Sequence, residues 1–171
     1  MKKIGLMIAL FVGMAFVNAQ QGTNWLKLGV HAGIPVGDAG DYSSFMAGID
    51  AKYQFLDFNS FGIGAATGYS HYFGKEMNVA GMTIDAEDFG FIPLAVLLRY
   101  YPTQSFFIGT DLGYAIGVSD NFEGGFYFRP EIGWHNEDWN VFGFYQGVSD
   151  SPMNIGAVGI GVNYNIISRA R

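Results

Sequence analysis

The chain has no cysteine among its 171 residues. That excludes a disulfide framework, a thiolate metal site and lipid attachment through an N-terminal cysteine. Charge is scarce too. Asp, Glu, Lys and Arg make up 14% of the sequence, low for a surface that faces water on all sides. Bases are the rarer sign, 9 Lys and Arg against 15 Asp and Glu. A phosphate backbone would be repelled, so nucleic acid is excluded as a partner. No segment after residue 19 is long and apolar enough for a membrane helix, which needs about 20 residues.

Glycine and aromatic rings are abundant: 25 Gly, 16 Phe, 10 Tyr and 3 Trp. They follow a period of two. Ile108, Thr110, Leu112, Tyr114, Ile116 and Val118 alternate with Gly109, Asp111, Gly113, Ala115 and Gly117. Successive strand side chains point to opposite faces. One face is therefore bulky and apolar, the other small with a single carboxylate. Just upstream, Ile92, Leu94, Val96, Leu98 and Tyr100 share one face and Arg99 lies on the other. Pro102-Thr103-Gln104-Ser105 forms the turn between them. A hairpin with this inversion fits a transmembrane barrel, lipid outside and a cramped polar lumen inside.

The N-terminus has the form of a secretory signal peptide over residues 1–19. Lys2-Lys3 is the positive region, Ile4 to Val17 the apolar core and Val17-Asn18-Ala19 the cleavage site. Residues 20–171 then form one domain.

Eight segments have strand character: 24–36, 45–55, 61–73, 89–101, 106–118, 125–135, 139–149 and 154–166. Each is near the length a tilted strand needs to cross a bilayer. Gly37–Ser44, Gly74–Asp88, Ser119–Gly124 and Asp150–Met153 connect them at one end. Leu56–Ser60, Pro102–Ser105 and Asn136–Asp138 connect them at the other and are all short. Barrels of the outer membrane have short periplasmic turns and longer external loops, so periplasmic termini are expected.

In the first segment Lys27, Gly29, His31 and Gly33 face inward; in the second Gly48, Asp50, Lys52 and Gln54; in the sixth Tyr127, Arg129, Glu131, Gly133 and His135. In the seventh, Phe142, Phe144 and Val148 share a face with Asn140 and Gln146, and that face is assigned to lipid. Pro93 and Pro130 each remove a ladder hydrogen bond, and local bulges are expected there. Trp25, Tyr53, Phe55, Phe61, Tyr100, Phe106, Trp134, Trp139 and Tyr164 fall at the strand ends on the short-turn side. Amphipathic aromatics favour the headgroup level, so these residues are expected to form a girdle.

The runs Phe91-Ile92-Pro93-Leu94, Arg99-Tyr100-Tyr101 and Gly109-x-Asp111-Leu112-Gly113-Tyr114 resemble small outer-membrane β-barrel domain proteins of Gram-negative bacteria, of the Bacteroidetes type. The resemblance covers about residues 22–166. It implies an all-β, eight-stranded antiparallel up-and-down barrel in the outer membrane, and no reaction.

The expected lumen holds Lys27, Lys52, Arg99 and Arg129 against Asp50, Asp111 and Glu131. Eight strands leave an interior that side chains fill, and buried charges must pair. A structural salt-bridge plug is expected, with a narrow channel for ions or small solutes as the alternative. No catalytic residues, cofactor or metal are assigned. Ser70 and His71 are adjacent in a strand and so point to opposite faces; the Gly-x-Gly patterns lie in strands with no following helix. A soluble lipocalin-like barrel would need the reverse placement of charge. The long connections carry Asp38, Asp41, Glu76, Asp85, Glu87, Asp88, Asp120, Glu123 and Asp150 against Lys75. Among these, Asp85, Glu87 and Asp88 are oxygen donors suited to Ca²⁺ or Mg²⁺. The reading is a monomer in outer-membrane lipid, with a structural or adhesive role and an extracellular partner met through acidic loops.

Overall fold

The computed structural model describes residues 25–167, apart from residues 59, 80–81, 120–121 and 151–152. The signal peptide lies outside the described residues. In order, the elements are β1 (Trp25–Gly37), α1 (Asp38–Tyr42), β2 (Ser43–Phe58), β3 (Phe61–Gly74), β4 (Glu76–Val79) and β5 (Met82–Asp85). They continue with β6 (Phe89–Tyr100), β7 (Phe106–Ser119), β8 (Phe122–His135), β9 (Trp139–Asp150) and β10 (Met153–Ile167). Eight of the strands close into an antiparallel up-and-down barrel in the circular order β1-β2-β3-β6-β7-β8-β9-β10, and β10 pairs back onto β1. Closure leaves no sheet edge, so backbone groups inside a membrane need no water.

The alternation sets which face is which. Ile34 is 67% exposed on the outer face and Ile160 73%, while Lys52 and Arg129 on the inner face are 1% exposed. Large apolar residues are exposed on every barrel strand, far more apolar surface than a water-facing monomer carries. Aromatics bracket this band. Phe55, Phe61, Tyr100, Trp134, Trp139 and Tyr164 are exposed at the end bearing the termini. There Phe61 packs on Tyr100 and Trp139 on Tyr164, each pair with ring centroids 4.9 Å apart. Tyr53 and Phe106 are half-buried at the same level, and the side chain of Trp25 lies outside the described residues. A second ring, which the sequence reading lacks, occupies the opposite end: Tyr42, Phe45, Phe73, Tyr114 and Phe126. Phe45 and Phe55 both point outward on β2, ten residues apart. At ~3.3 Å per residue and ~45° tilt they lie ~23 Å apart along the barrel axis, close to the ~25 Å apolar band of such barrels.

Four details depart from the sequence reading. The longest connection folds into its own hairpin, in which Glu76 pairs with Asp85 and Val79 with Met82. The first connection contains α1, entered through Gly37 at φ 64°, a backbone that glycine adopts without strain. The prolines carry no bulge. Pro93 keeps its register with Ala115 and Pro130 with Thr110; on the other side the ladder skips two positions and resumes unshifted. The missing N–H costs one bond toward one neighbour, and the barrel needs no extra residue to absorb that.

The fourth departure is β9, whose faces are reversed. Asn140, Phe142, Phe144, Gln146 and Val148 are buried inside, and Val141 and Tyr145 face out. The rings turn inward because cations await them. The Arg129 guanidinium lies 4.1 Å from the Phe144 centroid and the Lys52 ammonium 5.2 Å from that of Phe142, distances at which a ring face attracts a cation.

Candidate functional site: the lumen

Strand register assembles a belt of charge across the barrel. Asp111 pairs with Arg129 in the β7–β8 ladder, and Arg99 pairs with Gly109 in β6–β7. Gly109 leaves the room Arg99 needs, since a Cβ there would collide with the guanidinium. Lys52 reaches across the lumen to both Asp111, at 2.7 Å, and Glu131. Arg99 bonds Glu131 at 2.6 Å and Asp111 at 3.3 Å. Arg129 grips Asp50 with both terminal nitrogens, at 2.8 and 3.3 Å, and places Nε 3.2 Å from Glu131. All six residues are at most 5% exposed. Lys27, also buried, donates to Asn140 at 3.3 Å, and Asn140 donates to Asn165 at 2.8 Å. The seven charged residues expected in the lumen are thus all inside it. Each acid meets at least two cationic contacts, the multiple pairing that buried ions require.

Above the belt, toward the end opposite the termini, lies a polar layer. His31 Nε2 is 3.1 Å from Ser70 Oγ; Gln146 Nε2 donates to Ser70 Oγ at 3.2 Å and to Tyr72 Oη at 3.3 Å. Tyr127 Oη donates to Gln146 Oε1 at 3.4 Å. Above that comes an apolar plug. Tyr72 stacks on Phe89 at 4.7 Å, and Phe91 packs against Tyr72, Phe122 and Tyr127 at about 6 Å. Met46, Val148 and Ile155 complete it, all buried. Parity alone places His31, Ser70 and Tyr127 inside, as observed, but the sequence reading does not group them into layers or include Tyr72, which shares the parity of Ser70 on β3. On β9 the reversed assignment hid Gln146.

By distance, Ser70, His31 and Asp50 form a serine–histidine–acid series, because His31 Nδ1 is 3.1 Å from Asp50 Oδ2. Nucleophilic chemistry needs a substrate beside the hydroxyl. Here Ser70 is 1% exposed and enclosed by His31 and Gln146, and Asp50 is held by Arg129. The series links the layers through one hydrogen bond, between His31 and Ser70, and one close His31–Asp50 contact outside hydrogen-bond geometry. His71, by contrast, points outward at the rim, where its Nδ1 meets Tyr69 Oη at 2.9 Å and its Nε2 meets Asp88 at 3.2 Å.

At the end bearing the termini a cavity of about 350 Å³ opens between Gln54, Asp57, Tyr101, Gln104 and His135. Tyr101 caps it, donating to Gln54 at 2.7 Å. Burial pushes the Tyr101 phenol up to about 12, against the pull of Arg99, so it remains a neutral donor.

No protein-family model matches the chain, and no curated protein matches it. Among solved structures it is similar to Ail, the attachment invasion locus protein of Yersinia pestis, with TM-score 0.54 and 12% identity over 85% of this chain and 99% of that one. Ail in a phospholipid bilayer nanodisc matches at TM-score 0.53 and 13% identity, over 82% and 99% of the two chains. A de novo designed barrel, TMB2.3, matches at TM-score 0.56 and 14% identity, over 86% and 98%. At these identities the likeness is one of fold: the closed eight-stranded barrel of outer-membrane proteins.

Proposed function

We propose that the chain is a monomeric barrel of the bacterial outer membrane, with both termini in the periplasm. Its lumen is closed, and its role is structural or adhesive through the opposite rim; no catalytic role is assigned. The observation that carries this reading is the inversion. The outside is apolar between two aromatic rings, while the inside holds a fully buried ion network under a ring-packed plug. Such an interior stabilises a wall and leaves no open water path.

The described rim supports a surface role. It carries Asp38, Asp41, Glu76, Glu87, Asp88 and Glu123, with Lys75 turned in to bond Gly40 O at 2.6 Å. A partner with a basic patch suits that field. Of the carboxylates read as cation donors, Asp88 is engaged by Gly74 N–H at 2.8 Å and by His71; the Asp85 side chain lies outside the described residues. A second reading, a narrow channel, is favoured by the cavity at Tyr101, which lies at the barrel mouth on the end bearing the termini. Purified protein should migrate faster unboiled than boiled on a denaturing gel and add no steady conductance to planar bilayers at neutral pH. Steady open-channel currents would replace the closed reading with the channel. A stable, detergent-free monomer would sink the membrane reading itself.

A further inference from the structure

We infer that His31 is a proton-responsive relay that couples the charged belt to the aromatic plug. This goes beyond the closed-barrel reading and rests on its closed lumen.

The geometry begins with a glycine. In the β1–β2 ladder His31 pairs with Gly48, and in β2–β3 Gly48 pairs with Ser70. A Cβ on Gly48 would collide with the His31 ring. The bare position lets the imidazole reach over β2 and touch β3. One ring nitrogen thus meets Asp50, in the belt, and the other meets Ser70, in the polar layer.

In the neutral ring Nε2 accepts the Ser70 hydroxyl proton, and Nδ1 carries the hydrogen, 3.1 Å from the Asp50 carboxylate but off the line of a hydrogen bond. A proton added at Nε2 makes it a donor, so Ser70 Oγ must become its acceptor. The Ser70 proton then turns to Gln146 Oε1, 3.5 Å away. That oxygen already accepts from Tyr127, and the same amide donates to Tyr72. Reversing one hydroxyl therefore reaches the two tyrosines against which Phe91 packs.

Charge acts in the same direction. The groups turned toward His31 are Asp50 and Lys52 from β2 and Arg129 from β8; β3 presents Ser70, β9 the Phe144 edge at 5.6 Å and β10 Gly161. Lys27 lies on its own strand. Asp50 is the acid facing the ring, and Arg129 already occupies it through two bonds. A protonated ring would put a second cation on one buried carboxylate, which loosens the Arg129 grip. Histidine is the side chain whose ordinary charge change falls between pH 8 and 5.

The test is near-ultraviolet circular dichroism of the detergent-folded barrel, which reports ring packing, between pH 8 and about pH 4. The wild-type spectrum is expected to change reversibly. His31→Gln, which keeps polar contacts but takes no proton, should be flat. Ser70→Ala, which leaves the imidazole intact but cuts the relay, should lose most of the amplitude. His71→Gln and His135→Gln should behave as wild type. A wild-type spectrum that does not move overturns the relay, as does an undiminished change in His31→Gln or Ser70→Ala. Should His31→Gln fail to give the fast-migrating band, Ser70→Ala and Tyr72→Phe carry the test, since each interrupts the chain beyond the imidazole. Absence of that band from the wild type would count against the barrel, a separate failure.

Discussion

Around Arg129 the lumen is filled with ions, and around Tyr127, two residues back along β8, it is filled with rings. Both halves exclude water, by different physics. In the belt each carboxylate is finished by named partners at fixed angles, as Asp50 is by two Arg129 nitrogens at 2.8 and 3.3 Å. In the plug, Phe91 touches three rings with centroids about 6 Å away, contacts that shift by tenths of an ångström at little cost. A missing charge leaves its partner desolvated and uncompensated. A missing methylene leaves a gap that neighbouring rings partly close. The belt is therefore unforgiving and specific, the plug tolerant.

The largest expected effect breaks the belt on one side. Arg129→Met strands Asp50 and should destabilise by about 3–5 kcal/mol, measured by denaturant unfolding in detergent. Replacing both, Asp50→Leu with Arg129→Met, should recover most of that loss, because the pair goes together. A double variant no milder than the single one means the two residues are not coupled.

The plug gives the counterpart. Phe91→Leu nearly conserves volume and stays apolar, so it should cost less than about 1.5 kcal/mol in the same assay. A loss as large as that of Arg129→Met would erase the contrast between tolerant and unforgiving halves.

The same contrast separates what the sequence displays from what it hides. Charges on a glycine-bearing face announce themselves: Lys52, Arg99, Asp111 and Arg129 alternate with apolar residues at period two, and burial then demands partners. Which acid meets which base depends on shear around the barrel. Lys52 meets Asp111 from a strand three places away around the wall, and no local pattern encodes that. Rings are ambiguous, because a phenylalanine serves lipid and lumen equally well. On β9 the apolar parity reads as lipid-facing, yet Phe142 and Phe144 turn in to meet cations and leave Val141 and Tyr145 outside. Parity puts His31 on its inner face, yet its contact with Ser70 depends on two ladders in series and the gap at Gly48. The hairpin of β4 and β5 was hidden because its strands span four residues each.

The smallest expected effect lies outside both halves, at the rim, where an ion contact is open to water. Asp88 accepts from Gly74 N–H and sits 3.2 Å from His71, fastening the far end of the connection that carries the small hairpin. The Gly74 N–H first, and then His71, hold its carboxyl below the ordinary value of 3.8. A carboxyl lowered in the folded state contributes stability above its unfolded value, and that contribution is lost as pH falls through the folded one. The latch should therefore be complete at neutral pH and released in strong acid. Its side chain is 54% exposed, so solvent and salt screen the contact and its effect stays local. Amide exchange at Gly74, compared between wild type and Asp88→Asn, isolates the latch, since intrinsic exchange cancels in the ratio. Protection should be greater in the wild type near about pH 6 and converge with the variant as pH drops below 3.8. Equal protection at both pH values would show that the carboxylate does not fasten the loop. The variant should leave the unfolding midpoint of the barrel where it was, because neither the belt nor the plug touches Asp88.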